Sequence, residues 1–281
     1  MAKYANEYQK KKISLILLNA RITKKSYNKW KTIPCTAKKL FQSFDICFSQ
    51  HHETKKYLKN LGAKKIKFLG NLKFSERKSQ KNYNFHNKLK KIFKYKRIWC
   101  AASTHNTEER ICALAHKKLK IKHKNLLTII IPRHIQRSNN IFNEMEDLGL
   151  NVQTRSAYNK IGKNTDIFLV DSYGETKSFY KICKTVFLGG ALINHGGQNP
   201  LEPARFGCKI LHGPYVQNFS EVYNFLEKNN LSSRFRNTNQ LINSVKKSFL
   251  IKSNFTNKTI KLKKMGSYIL NKTYTDISNY L

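Results

Sequence analysis

Short apolar runs of strand length recur along this chain, and longer stretches with helical spacing lie between them. That alternation is the strongest constraint the sequence offers, because it marks a parallel sheet covered by helices on both faces, the α/β class. Strands are expected near residues 13–18, 45–49, 65–69, 98–102, 126–131, 150–153, 166–170, 185–188 and 208–211. Helices fit near 35–44, 53–61, 106–120, 136–148, 174–182, 199–206 and 218–228, with more helix after 239. No repeat of fixed period is found, which argues against a solenoid.

One segment breaks the rhythm. From Glu76 to Lys96 the chain is very polar and basic and carries SERKSQKNYN, the composition of an inter-domain linker. Three expected strands precede it and six follow. With 281 residues and 40% apolar content the chain can bury one substantial core or two smaller ones. Six strands make a complete doubly wound domain, whereas three make a poor one. The expected organisation is a partial amino-terminal Rossmann-like domain over 1–75, a linker and basic helix over 76–97, a complete Rossmann-like domain over 98–255 and a helical segment over 256–281. A three-stranded partial sheet is expected to leave one edge and two faces uncovered.

The formal net charge of +38, from 54 Lys and Arg against 16 Asp and Glu, runs through the whole length. Such a field must meet anions, and nucleic acid, anionic lipid and nucleotide substrates all qualify. Because Lys, Asn and Ile are all abundant, as codon bias would produce, charge alone identifies no partner. The six cysteines, at 35, 47, 100, 112, 183 and 208, show no metal-ligand spacing, so reduced thiols in a cytosolic compartment are expected. The lysine-rich start, with no apolar run of signal-peptide length after it, is not expected to be a signal peptide. The longest apolar stretches, such as Ile13 to Leu18 and Leu126 to Ile131, fall far short of the ~20 residues that span a bilayer, so any membrane contact is expected to be peripheral.

The chemistry concentrates between Asp166 and Ser220. A strand ending at Asp171 leads to Gly174 and Glu175 at a helix start, and the next strand, TVFLGG, ends in Gly189 and Gly190 before the loop ALINHGGQNPLEPARFG. In an open parallel sheet, ligands bind beyond the carboxyl ends of strands, where glycines let backbone N–H groups approach a phosphate. Asn199-Pro200-Leu201-Glu202 reads as a helix start, with Asn199 as N-cap and Glu202 reaching back as in a capping box; a glutamate there can also accept from ribose hydroxyls. Ser103-Thr104-His105-Asn106, with Glu109 three residues on, reads either as a plain N-cap or as hydroxyls and amides facing an anion. Arg133, just past the strand LLTIII, suits a phosphate or carboxylate because its planar fork binds oxygens in pairs.

The stretches GNLKF, AASTHNTEE, PRH, DSYGE, FLGGALINHGGQNPLEPA and GPYVQNFSE, with NARIT at 19–23, follow one another in an order that resembles the Kdo (3-deoxy-D-manno-octulosonic acid) transferases of lipopolysaccharide synthesis. The resemblance covers nearly the whole chain. It implies a GT-B glycosyltransferase that takes Kdo from CMP-Kdo and attaches it to a lipid A precursor at the cytoplasmic face of the bacterial inner membrane, bound peripherally. It implies CMP-Kdo binding by Arg133, Gly174, Glu175, Asn199 and Glu202, with Ser103 and Thr104 beside them. No cofactor and no metal are implied, since the chain has no Asp-x-Asp, and no nucleic-acid partner is implied. The segment from Arg21 to Phe44 mixes Lys24, Lys25, Lys29, Lys31, Lys38 and Lys39 with Tyr27, Trp30 and Phe41, which suits either an anionic membrane surface or a solvated basic helix.

In that family the glutamate thought to act as general base lies in an amino-terminal stretch with no counterpart here; Glu7 is the only acidic residue before position 45, and nothing around it resembles the family motif. No catalytic base is assigned. A truncated gene product and a split enzyme whose other half acts in trans both fit, and in either case the chain alone is expected to bind CMP weakly and to turn over little or not at all. Three other readings stay open: a nucleic-acid-binding protein, a non-catalytic Rossmann-like partner that docks on a membrane, and a GT-B enzyme that uses a UDP-sugar.

Overall fold

The computed structural model describes residues 13–75, 93–157, 162, 164–250 and 255–280. It separates into two compact units, Met1–Arg77 with Lys261–Leu281, and Lys78–Ile260. Most of the expected 76–97 segment, and Glu7, lie outside the described residues. Among those described, no helix is long and apolar enough to cross a membrane.

The first unit is built on a three-stranded parallel sheet, β1 (Ile16–Ala20), β2 (Ile46–Ser49) and β3 (Ile66–Phe68), paired in that order. Between the strands run α1 (Lys24–Lys31), α2 (Pro34–Gln42) and α3 (His52–Asn60). Helix α1 was not among the expected elements: it buries no residue fully, and its apolar side consists of Tyr27 and Trp30 alone, half-buried against the core. Local chemistry forms it: the Thr23 hydroxyl accepts from the Ser26 N–H at its start, and Lys29 and Lys31 sit in its last turn, where the helix dipole favours cations.

Both faces of this sheet are covered, which corrects the expectation of two bare faces. On one, Cys47 packs with Ala37, Leu40 and Phe41 of α2 and Leu58 of α3. On the other, Ile46, Phe48 and Leu69 meet Ile277 and Tyr280 at the end of the C-terminal helix (Phe255–Ser278). That helix approaches closely: a Cβ on Gly266 would lie 2.3 Å from the Phe74 carbonyl oxygen, and Lys67 donates to Asp276 at 2.8 Å. What stays open is the strand edge, with Leu18 of β1 44% exposed. The aromatic residues of the 21–44 segment turn inward, Trp30 edge-on against Phe41 and Tyr27 stacked on Tyr57, while its lysines face solvent.

The second unit contains β4 (Arg97–Thr104), α4 (Glu108–Lys122), β5 (Leu126–Pro132), α5 (Ser138–Asp147), β6 (Val152–Thr154), β7 (Ile167–Leu169), α6 (Thr176–Ile182), β8 (Thr185–Leu188), α7 (Leu201–Arg205), β9 (Lys209–His212), α8 (Ser220–Lys228), β10 (Ser232–Arg234) and α9 (Thr238–Leu250). Its strands form one parallel sheet of seven in the order β10-β9-β8-β4-β5-β7-β6. The seventh strand, β10, reads Ser-Ser-Arg and gives no apolar signal; pairing with β9 at the sheet edge makes it a strand. Every residue of β5 is buried, as a strand packed on both faces requires. Trp99, Leu119, Ile130, Met145, Phe187 and Phe235 belong to the core cluster that joins this sheet to its helices.

A buried polar group closes the amino-terminal edge of the same sheet. His116 places Nδ1 2.8 Å from the Thr128 hydroxyl and Nε2 3.2 Å from Asp166, and Lys120 pairs with the same carboxylate. Burial, helped by the charges of Lys120 and Lys96, pushes the His116 pKa down to about 3, so the ring is neutral. At the other edge the strand order reverses between β8 and β4, which opens the crevice where sheets of this kind bind ligands.

Candidate donor site at the switch point

Four consecutive strands, β8, β4, β5 and β7, end on this crevice, and their last residues or the segments after them carry all seven residues singled out from the sequence. The junction between β8 and β4 is tight. A Cβ on Gly189 would lie 2.4 Å from the Ser103 carbonyl oxygen and 2.6 Å from a Glu108 carboxylate oxygen, so only glycine fits there. Ser103 bends the end of β4 with φ +55.

Glu108, the first residue of α4, is fully buried and turns its carboxylate into the turn after β8. One oxygen accepts from the N–H groups of His105 and Gly190 at 2.9 and 2.8 Å, the other from those of Ala191 and Leu192 at 3.2 and 3.0 Å. Burial raises the Glu108 pKa, and the four backbone donors pull against it. The expectation that the glycine amides here face a ligand phosphate is therefore corrected: the Gly190 N–H is taken by Glu108, and the Gly189 N–H donates to the Ala102 carbonyl at 2.9 Å.

The rest of the loop is held from outside. Gly197 N–H donates to Gly190 O at 2.8 Å, Tyr215 N–H to Ala191 O at 3.0 Å and the Tyr223 hydroxyl to Gln198 O at 2.9 Å. A Cβ on Gly190 would meet the rings of His195 and His105 at 3.2 and 3.3 Å, so both imidazoles lie against the turn. The His105 ring centroid is 4.4 Å from that of His195 and 6.0 Å from that of His134, and Gln198 reaches within 3.5 Å of its Nε2. Burial, then the fields of His195, His134, Arg137 and Arg133, push the His105 pKa down to about 4. His134, His195 and Arg133 are exposed around it. Among the described residues these rings do not form a metal-holding group.

Each expected residue has a definite place. Arg133 follows β5 directly, its N–H donating to Thr104 O at 2.9 Å and its guanidinium exposed. Gly174 is exposed with φ +84. Glu175 accepts from Arg155 at 2.8 and 3.1 Å and from Ser172 at 2.5 Å. Asn199 is not the N-cap that was expected: the helix begins at Leu201 after Pro200, and the Asn199 side-chain oxygen accepts from Leu201 N–H at 3.2 Å just ahead of it. Glu202 does not reach back to complete a capping box; it pairs with Lys177 at 3.0 Å, which ties the start of α7 to that of α6. Thr104 is fully buried with an unpartnered hydroxyl, so it does not face a ligand. Ser103 is half-buried beside it. The plain N-cap at Asn106 also fails: α4 begins after Thr107, which has φ +75 and no side-chain cap bond, and Glu109 accepts instead from Arg137 at 3.0 and 3.2 Å.

Residues 2–76 match the family described as 3-deoxy-D-manno-octulosonic-acid transferase (kdotransferase). The 3-deoxy-D-manno-octulosonic acid transferase of Haemophilus influenzae is 31% identical over 217 residues, 76% of this chain and 51% of that protein. The crystal structure of the C-terminal CMP-Kdo binding domain of WaaA from Acinetobacter baumannii aligns with a TM-score of 0.55 and 25% identity, over 63% of this chain and 91% of that one. The chain belongs to the Kdo transferase family. Its fold is of the GT-B class, and Anabaena Alr3699/HepE, solved in complex with UDP, shares that fold at 10% identity with a TM-score of 0.58, over 99% of this chain and 76% of its own. The chain spans about half the length of the curated Kdo transferases it matches.

Around this candidate site the side chains missed from the sequence are Glu108, His105, His134, His195 and Gln198. The three histidines lie inside the family-like stretches AASTHNTEE, PRH and FLGGALINHGGQNPLEPA. Their position just beyond strand ends was the available signal; only the strand order sets His105 beside His195.

Proposed function

We propose that this chain carries the donor-binding part of a glycosyltransferase that moves Kdo from CMP-Kdo to a lipid A precursor. The observation that carries the reading is the cationic and imidazole-rich group at the switch point, Arg133 with His105, His134 and His195. An exposed guanidinium just past a strand end can take two phosphate oxygens at once, and the imidazoles beside it are donors in a partly desolvated setting. Glu175, Asn199 and Glu202 supply acceptors for sugar hydroxyls, Ser103 and Gly174 shape the loop backbone, and Thr104 packs the strand end beneath them. The negative charge of the departing nucleotide is met by these groups, without a metal ion. No catalytic base is assigned.

The acceptor is an acidic, phosphorylated glycolipid in this reading, and the protein works peripherally at the cytoplasmic face of the inner membrane. The exposed Lys24, Lys25, Lys29, Lys31, Lys38 and Lys39, with Ile33 48% exposed among them, support contact with anionic lipid.

Calorimetric titration tests the donor site. CMP is expected to bind, and Arg133→Lys, which keeps the charge but loses the fork, is expected to weaken it by about tenfold, near the worth of one charge-assisted hydrogen bond. Preference for UDP, or salt-steep binding of duplex nucleic acid with no response to CMP, would overturn the reading.

A further inference from the structure

A ring of backbone N–H groups at a strand end is ordinarily an anion seat. In this protein the seat is taken. The N–H groups of His105, Gly190, Ala191 and Leu192 all donate to Glu108, and among the described residues that carboxylate bonds to backbone N–H groups alone. No phosphate can share the space, because even a Cβ at Gly189 would stand 2.6 Å from the carboxylate. The front of the turn is closed too, by the two rings lying against Gly190.

We infer that Glu108 is the positioning residue of the donor site: an internal anion that fills the amide nest, so that the ligand's phosphate is read by the side chains in front of the nest and not by its N–H groups. The inference rests on the donor-binding reading above. Two links connect Glu108 to those side chains. It holds His105 directly through that residue's N–H, and it fixes the 190–192 turn against which His195 and His105 are set. A carboxylate suits the task because both its oxygens only accept, each taking two N–H donors here. An amide in its place would offer one accepting oxygen and turn an NH₂ group toward two backbone donors.

The test uses the full 281-residue chain with two variants, Glu108→Gln and Glu108→Gly, and two probes, CMP and formate. Without any ligand, hydrogen exchange at Gly190 to Leu192 is expected to quicken by about tenfold or more in Glu108→Gln, as buried hydrogen bonds are lost. CMP affinity is expected to fall by about tenfold in the same variant. Added formate, a free carboxylate able to occupy the emptied nest, is expected to restore amide protection and CMP affinity to Glu108→Gly and to leave the wild type unchanged. Wild-type exchange and CMP affinity in Glu108→Gln would overturn the inference. So would tighter binding of CMP by Glu108→Gly than by the wild type, which would make the nest the phosphate seat. If the wild type ignores CMP, the donor reading fails, while exchange and formate rescue still decide what fills the nest. If Glu108→Gly does not fold, Glu108→Gln decides alone.

Discussion

The two sheets of this protein are made of the same kind of strand yet are buried to different depths. All seven residues of β5 are buried, whereas β1 buries only Ala20 of its five. The second unit wraps its central strands with its own helices, and the ligand crevice is cut into that closed body. The first unit obtains one of its covering layers from the distant end of the chain and keeps an open strand edge. The difference teaches that a short parallel sheet becomes viable by borrowing a helix, and that the loops of the candidate site stand on the sheet that borrows nothing.

The largest expected effect tests that contrast in the cores. Phe187→Ala, in the fully buried β8, should cost about 3–5 kcal/mol in denaturant unfolding. Leu17→Ala, in half-buried β1, should cost well under half as much, and equal losses would break the comparison. Hydrogen exchange sharpens it without mutation: amides of β4, β5 and β8 should outlast those of β1 to β3.

Next in size is an acid effect confined to the second unit. His116 and His105 have folded pKa values of about 3 and about 4, below the ordinary 6.5. A depressed histidine stabilises the fold fully above its unfolded value, and the contribution drains away as pH falls from 6.5 toward the folded value. Glu108 works in the opposite sense: its pKa is raised, so its contribution is present at low pH and is lost as pH rises through the folded value, which offsets part of the histidine effect. Unfolding measured from pH 7 down to 4 should show the second unit weakening, and His116→Gln should flatten that slope. A slope unchanged in His116→Gln would count against the buried neutral ring.

The smallest effect belongs to the rim. The Lys177–Glu202 pair is about a third exposed on each side, so Lys177→Ala should change stability by no more than about 0.5 kcal/mol. Its interest is in the freed Glu202: an effect on CMP affinity larger than that on stability would mark the pair as part of the donor site.

How far all this could be read in advance follows from range. Nine strands announce themselves as apolar runs, because burial in a parallel sheet leaves its trace in each residue. Strand β10 does not, since Ser232 and Ser233 become strand only through their neighbour, and α1 does not, since two inward aromatics, Tyr27 and Trp30, are too few to set a period. In the site, Arg133 and Glu175 could be picked out because each follows soon after a strand, and Glu202 because it stands in the helix-start pattern Asn199-Pro200-Leu201-Glu202. The partners that define their surroundings could not. Glu108 looks like an ordinary acidic residue at a helix start, and the Gly190 N–H it binds is 82 residues away.

The contact between Lys67 and Asp276 joins residues 209 positions apart, and with it the C-terminal helix lies on strands made long before it. During synthesis those strands must therefore leave the ribosome with one apolar flank bare and wait, while the second unit, whose parts emerge together, can already close. A segment made before the second unit is finished after it, and that delay is the interval in which a chaperone or a second polypeptide has its best opportunity to bind.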